Sequence, residues 1–326
     1  MSVVVSINCI TYNHEPYIGE AIEGFLSQQT NFEFEILIGE DCSTDQTRKI
    51  IDKYVTKYPT KIKLITSGEN VGALKNAFRL HEQSQGKYIA LCEGDDYWTD
   101  PFKLQKQVDY MEKNPDCTLC FHNAKVLGPN KEETGKIVVP WLKNNEKYFR
   151  KDNHYTAGEL ALLGYIPTAS FLYPKCLLDN FPDWAFHSVA GDNVVKLITS
   201  SHGYAYYIDE IMCIYRFGIE GSATTKWSTE NTSKDKIINH HSKFIELFDD
   251  FNSYSHYKYD TEILEVKKIF EFEIAILQGE LKSILSKKYK DIWRELNLIE
   301  KIKIISRSKF PNIYTKLTEM KKAIQL

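Results

Sequence analysis

Three carboxylates within four residues, Glu93, Asp95 and Asp96, follow directly on an apolar run at 88–92. Held that close they repel one another unless a cation or hydrogen-bond donors compensate them. A hard divalent ion, Mg²⁺ or Mn²⁺, resolves the conflict, because it prefers oxygen ligands and shares its sphere between one or two carboxylates and substrate phosphates. In isolation the cluster reads as a solvated acidic turn. Its company argues otherwise. One apolar run leads into Thr11, Tyr12, Asn13 and His14, a second into Glu40, Asp41, Cys42, Ser43, Thr44 and Asp45, and a third is followed by Asn70, Val71 and Gly72. Open α/β sheets bind ligands in the crevice beyond the carboxyl ends of their strands, so four such ends predict one shared site.

The elements that must position these residues show in the periodicity. Near-continuous apolar strands are expected over 3–10, 34–39, 62–66 and 88–92, in a mostly parallel sheet covered on both faces. Helices are expected over 17–28, from just after Ser43 or Thr44 to about 58, over 73–85 and from near Pro101, with Asp45 suited to the positive end of the second helix. A strand over 117–126 accounts for Cys117, Cys120 and His122 as strand residues without a metal role. Residues 131–153 read as a long polar excursion. Helices at 157–163 and 193–201 and strands at 205–208 and 212–215 complete the domain. Beyond 221, amphipathic helices over about 233–251, 261–286 and 289–303 form a helical appendage. The expected division is therefore a catalytic domain at 1–221, with halves at 1–126 and 127–221, and a helical region at 222–326.

Composition narrows the class without naming a partner. The chain has 326 residues, 43% of them hydrophobic and 26% charged, with 41 basic side chains against 44 acidic. That is an ordinary globular composition, and its near balance of charge gives no reason to expect nucleic acid. Seven scattered cysteines suit a reducing compartment. The opening MSVVVSINCI lacks a basic leader, and no apolar run reaches the ~20 residues that cross a bilayer. A cytoplasmic location is expected, at most peripheral to the inner face of the membrane. Lys282, Lys287, Lys288, Lys290, Lys301, Lys303, Lys321 and Lys322 would make that contact, or simply form a solvated helix face. The same helices could instead pair two subunits. His240 and His241, adjacent on a helix, point to different faces and share no metal.

The segments TYNHEPYI at 11–18, GEDCSTDQT at 39–47, ENVG at 69–72 followed by Asn76, and LCEGDDYWTDPFKLQKQ at 91–107 resemble the family-2 glycosyltransferases in order and spacing. The resemblance runs over about 3–217 and implies a GT-A fold, a Rossmann-like sheet flanked by helices. It implies that Asp41 bonds the base of a uridine nucleotide, that Thr11 and Asn13 line the nucleotide pocket, and that Asn70 and Gly72 flank it. It also implies that Glu93, Asp95 and Asp96 hold a metal. Relatives usually open that motif with Asp, so Asp95 and Asp96 are the closer metal and diphosphate contacts. Asp192, in AGDN, matches the family's acceptor-side acid and is the expected general base. Arg216, in IDEIMCIYRFGIEGS, would meet a phosphate or form a structural salt bridge, and Gly218 stands where relatives often carry His. Trp98 is the aromatic expected to stack on the sugar, whereas Trp141 and Trp184 are expected in the core.

These implications describe inverting transfer from a UDP-sugar to a glycan or glycoconjugate acceptor. The rivals are a noncatalytic nucleotide-sugar-binding protein and a sugar nucleotidyltransferase. The second lacks support, because no glycine-rich basic loop follows the first strand.

Overall fold

The computed structural model describes residues 2–128, 133–137, 150–219, 222 and 233–309. Strands β1 (Val3–Thr11), β2 (Glu33–Glu40), β3 (Ile62–Thr66) and β4 (Tyr88–Leu91) pair in parallel in the order β3-β2-β1-β4. Parallel neighbours need crossovers, supplied here by α1 (Ile18–Leu26), α2 (Thr47–Lys57) and α3 (Ala73–Gln83). Thr11 stands opposite Glu40, and Glu40 opposite Thr66, so three strands stop level and release their loops to the same edge.

The sheet continues through β9 (Leu172–Pro174), β6 (Cys117–Leu127), β10 (Tyr204–Arg216) and β5 (Tyr97–Trp98). Two short strands lie off this path, β7 (Glu133–Ile137) on β6 and β8 (His154–Tyr155) on β10. The two strands expected at 205–208 and 212–215 are one, β10, whose register slips around Ile211 where it follows β6. A bulge of this kind breaks side-chain alternation, which is why the sequence reads as two segments. Part of the excursion expected at 131–153 is β7; the stretch 138–149, with Trp141, lies outside the described residues.

Alternation along β6 divides the core. Cys120 and Ala124 face one side, with Ile18, Ile22 and Phe25 of α1 and with Leu104 and Val108 of α4 (Lys103–Lys113). Leu119 and Phe121 face the other, with α5 (Ala157–Leu163) and α6 (Gly191–Ser201). That second core also contains Leu247, Phe248 and Phe251 of α7 (Lys234–Tyr254) and Ile263 and Val266 of α8 (Asp260–Gln278). A change of composition near 221 therefore separates kinds of element and not cores. The long helix expected over 261–286 ends at Gly279, whose φ of 77° closes α8 in a left-handed turn. After it come α9 (Leu281–Ile284), α10 (Lys290–Glu295) and α11 (Leu298–Lys309), gathered around Phe272, Ala275, Ile284 and Tyr289. Among the described residues no helix is long and apolar enough to cross a membrane.

Candidate active site

Beyond the level ends of β1 and β2, the loops are locked to one another by side chains. Asp41, 2% exposed, accepts from the Val71 N–H at 2.9 Å and the Ser67 hydroxyl at 3.1 Å through Oδ1, and from the Gly72 N–H at 2.9 Å through Oδ2. The expected nucleotide contacts Asp41, Asn70 and Gly72 thus belong to one unit, in which Asp41 builds the wall and Oδ2 keeps one lone pair for a ligand. Gly72 has a φ of 87° and leads into α3. Asn13 ties the β1 exit to the β2 exit: its Oδ1 accepts from the Thr44 N–H at 2.8 Å, and its own N–H donates to Ser43 Oγ at 3.0 Å.

The acidic turn folds back on the end of β1. A Cβ on Gly94 would lie 2.8 Å from Thr11 Oγ1 and 3.0 Å from His14 Nδ1, so only glycine permits this approach. Both of those atoms are buried and lack a hydrogen-bond partner. Asp95 keeps an open carboxylate, its Oδ2 lying 3.9 Å from His14 Nε2. Asp96 is buried, and its Oδ1 accepts from the Arg216 N–H at 2.9 Å. Burial pushes its carboxyl well above the usual range, the charges of Asp95 and Glu93 add to that, and Arg216 opposes them. Glu93 is pushed up to about 8, by burial first and by Asp95 next, while the Thr168 hydroxyl donates to it. The repulsion anticipated from the sequence is real. Among the described residues, however, no group of three or more His, Cys, Asp or Glu converges as a metal cage.

Asp192 comes from the later half of the sheet domain. It lies inside the first turn of α6, after Ala190 at the cap position, and its Oδ1 accepts from the Asn193 N–H at 2.8 Å. Its charge reaches Glu93, ninety-nine positions earlier in the chain, and contributes to holding that carboxyl up. One turn along α6, the buried Lys196 donates to the Gly164 carbonyl at 2.5 Å; burial lowers it to about 8, against the pull of Asp192. Gly191 packs within 3.1 Å of Leu74 on α3, measured from its would-be Cβ, which brings the Asp192 turn against the helix that follows Gly72.

The family model described as Glycosyl transferase family 2 matches residues 6–164. Residues 6–164 belong to glycosyl transferase family 2. An uncharacterized protein of Mycobacterium tuberculosis is 46% identical over 123 residues, 38% of this chain and 36% of that protein. Bacillus subtilis TuaG, provisionally named a teichuronic acid biosynthesis glycosyltransferase, is 30% identical over 135 residues, 41% of this chain and 52% of its own. Over these matches the chain spans between about a third and a half of the relatives' lengths. Among solved structures, Staphylococcus aureus TarS 1-349 in complex with UDP superposes with a TM-score of 0.52 at 17% identity, covering 94% of this chain and 80% of that one. The mannosyltransferase PcManGT from Pyrobaculum calidifontis, in complex with GDP-Man and Mn²⁺, gives 0.54 at 13% identity, covering 96% and 88%. These likenesses establish the GT-A fold.

Within this family-2 architecture two expected contacts change role. Trp98 is 2% exposed: its Nε1 donates to the Ala169 carbonyl at 2.8 Å, its ring meets Phe25 edge-on at 4.9 Å, and Lys103 Nζ sits 4.1 Å from the ring centre. It is a core residue and cannot stack on a sugar. Arg216 takes its structural alternative. The guanidinium donates to the Asp95 carbonyl and the Glu20 carboxylate and lies between the Tyr17 and Tyr97 rings, at 4.9 and 4.6 Å. Trp184 is a packing residue as expected, set against Tyr254 at 6.1 Å. Cys117, Cys120 and His122 are buried along β6, the cysteines free.

Sequence reasoning missed Tyr165. Its ring is 38% exposed and 5.4 Å from that of Tyr215, and its hydroxyl, enclosed, feels the charges of Asp96, Glu93 and Asp192. The only signal was a Gly-Tyr-Ile-Pro loop after α5, which carries no periodicity. His14, Thr168 and Glu20 were also unassigned, because each acts through a partner distant in sequence.

Proposed function

We propose that the chain is an inverting glycosyltransferase that moves a sugar from a UDP-sugar to a hydroxyl of a glycan, lipid-linked or protein-linked acceptor in surface polysaccharide or glycoconjugate assembly. The observation that supports the reading is that the charge of Asp192, in the first turn of α6, acts on Glu93 in the acidic turn just beyond β4. The uridine assignment is supported by TarS, named a poly(ribitol-phosphate) beta-N-acetylglucosaminyltransferase, which is 36% identical over 89 residues and has been solved with UDP and with UDP-GlcNAc. The teichuronic acid biosynthesis role for which TuaG is named supports polymer assembly. The work would be done at the cytoplasmic face of the membrane, with pairing of two subunits through the C-terminal helices as a further expectation.

In this reading, Thr11, Asn13, Asp41, Asn70 and Gly72 receive the nucleotide. Thr11 Oγ1, buried without a partner, is a hydrogen-bonding group awaiting a ligand. Asp192 takes the acceptor's proton as its oxygen attacks the anomeric carbon; the bond from that carbon to the diphosphate oxygen breaks as the glycosidic bond forms. One displacement inverts the centre. Tyr165, rather than Trp98, lies against the sugar. The carboxylates fit Mn²⁺ or Mg²⁺, since acids held this close raise one another's affinity for positive charge and such ions bind through few protein carboxylates. Asp95 is the most available ligand, with Glu93 and the free Oδ2 of Asp96 beside it. When bound, the ion supplies charge that offsets the departing diphosphate.

A protein that binds a nucleotide sugar without turnover is the reading favoured by Glu93 and Gly218. One experiment separates the two. With Mn²⁺, the purified chain should slowly release UDP from at least one UDP-sugar of a panel. Asp95→Asn should lose metal-dependent release, and Asp192→Asn should bind UDP unchanged while transferring ~10²-fold or more slowly. UDP binding with no turnover across the panel would establish the noncatalytic reading, and absence of UDP binding would sink both.

A further inference from the structure

The last described helix has two apolar sides. On one, Ile304 of α11 packs into the small core around Phe272, Ile284 and Trp293. On the other, Leu298 is 72% exposed, Ile299 66% and Ile302 54%. At about 100° per residue these three fall within one stripe roughly a quarter-turn wide, set well away from Ile304. Lys301 and Lys303 flank the stripe on its two sides.

The charge around it is as uneven as the exposure. Residues 281–309 contain nine Lys or Arg against three Asp or Glu, in a chain whose net charge is −3. Lys288 is paired with Glu271 at 2.7 Å. Among the described residues Lys282, Lys287, Lys290 and Lys303 have no ion pair.

We propose that α11 is an interfacial anchor for an anionic lipid bilayer, with Leu298, Ile299 and Ile302 entering the head-group boundary and the surrounding lysines meeting lipid phosphates. The lysines flanking the stripe can keep their ammonium groups at the phosphates while their stems lie along the apolar face. A second copy of the chain fits less well. Three side chains offer far less than the ~800 Å² per partner of a stable interface, and pairing would bring two basic lobes together. Binding by one short stripe plus charge is reversible and depends on lipid composition. The inference stands independently of the proposed reaction.

The test is co-sedimentation of the full chain with vesicles, one set of phosphatidylcholine alone and one containing about 30% phosphatidylglycerol. The chain should pellet with the anionic vesicles, be released by 0.5 M salt to a large extent (about tenfold or more), and remain free of the neutral ones. Leu298→Ser with Ile302→Ser, and separately Lys287→Glu with Lys290→Glu, should each weaken anionic binding about tenfold without lowering the melting temperature. Failure of the parent chain to pellet would overturn the proposal, as would undiminished pelleting of the Ser variant. A dimer mass by light scattering, lost in the Ser variant and accompanied by no lipid binding, would assign the face to a second copy instead.

Discussion

Glu93 shows how far a single carboxyl's environment departs from its residue type. Its ordinary value is 4.5 and it is held at about 8, by burial first and by Asp95 second. A carboxyl raised on folding contributes stability that is full below about 4.5 and lost as pH rises through 8. The metal-free protein should therefore melt progressively lower between pH 5 and 8, by at most ~1.4 kcal/mol per pH unit from this group. Glu93→Gln should flatten the slope, and thermal melts across that range check it; an identical slope in the variant would exclude Glu93 as its source. His122, held well below its ordinary value by burial, slopes the other way below about 6.5 and is common to both proteins. At this scale residue types were legible and partners were not. Trp98 and Tyr165 are both aromatics beside the acids, and only the path of the chain sends one into the core and leaves the other in the crevice.

Elements were legible wherever one face is buried, because burial imposes a period. Ile18, Ala21, Ile22 and Phe25 mark α1 at helical spacing and are buried in the structure. The expected helix at 157–163 is α5 to the residue, sealed by a capping box between Thr156 and Glu159. Legibility failed where the period is interrupted, as in β10, and where a helix begins without a polar cap, as in α6, which starts at Gly191 and so carries Asp192 in its first turn. The turn at Gly94 is set by space and not by backbone angle. Gly94→Ala should push Thr11 and His14 apart, weaken UDP binding about tenfold and cost ~1–3 kcal/mol of stability. Calorimetry with UDP, alongside melting, would reveal whether the contact matters; unchanged affinity would mean that the turn is not held against β1.

For the whole molecule, the first two helices after 233 are structural members of the core beneath β6 and α6. Phe251 is fully buried in the core that also holds Leu119, Phe121 and α6. Phe251→Ala should cost ~3–5 kcal/mol, in a single cooperative transition measured by urea unfolding. A separate early transition, with the remainder unfolding as before, would instead make the C-terminal helices an independent domain. From Gly279 onward, α9 to α11 gather instead with Phe272 and Ala275 of α8 in a separate small core.

By itself the sequence determined the parallel βα order, the crevice edge to which the acidic loops belong, and the excess of acid at 93–96, since each follows from local periodicity or covalent proximity. The tertiary structure alone decided which acids are open and which are bonded, that Arg216 is spent on Glu20 and the Asp95 carbonyl, and that Asp192 comes close enough for its charge to act on Glu93. Those outcomes depend on contacts between residues tens to hundreds of positions apart. No local pattern encodes such pairings, because the free energy that selects them comes from packing the two halves of the sheet together.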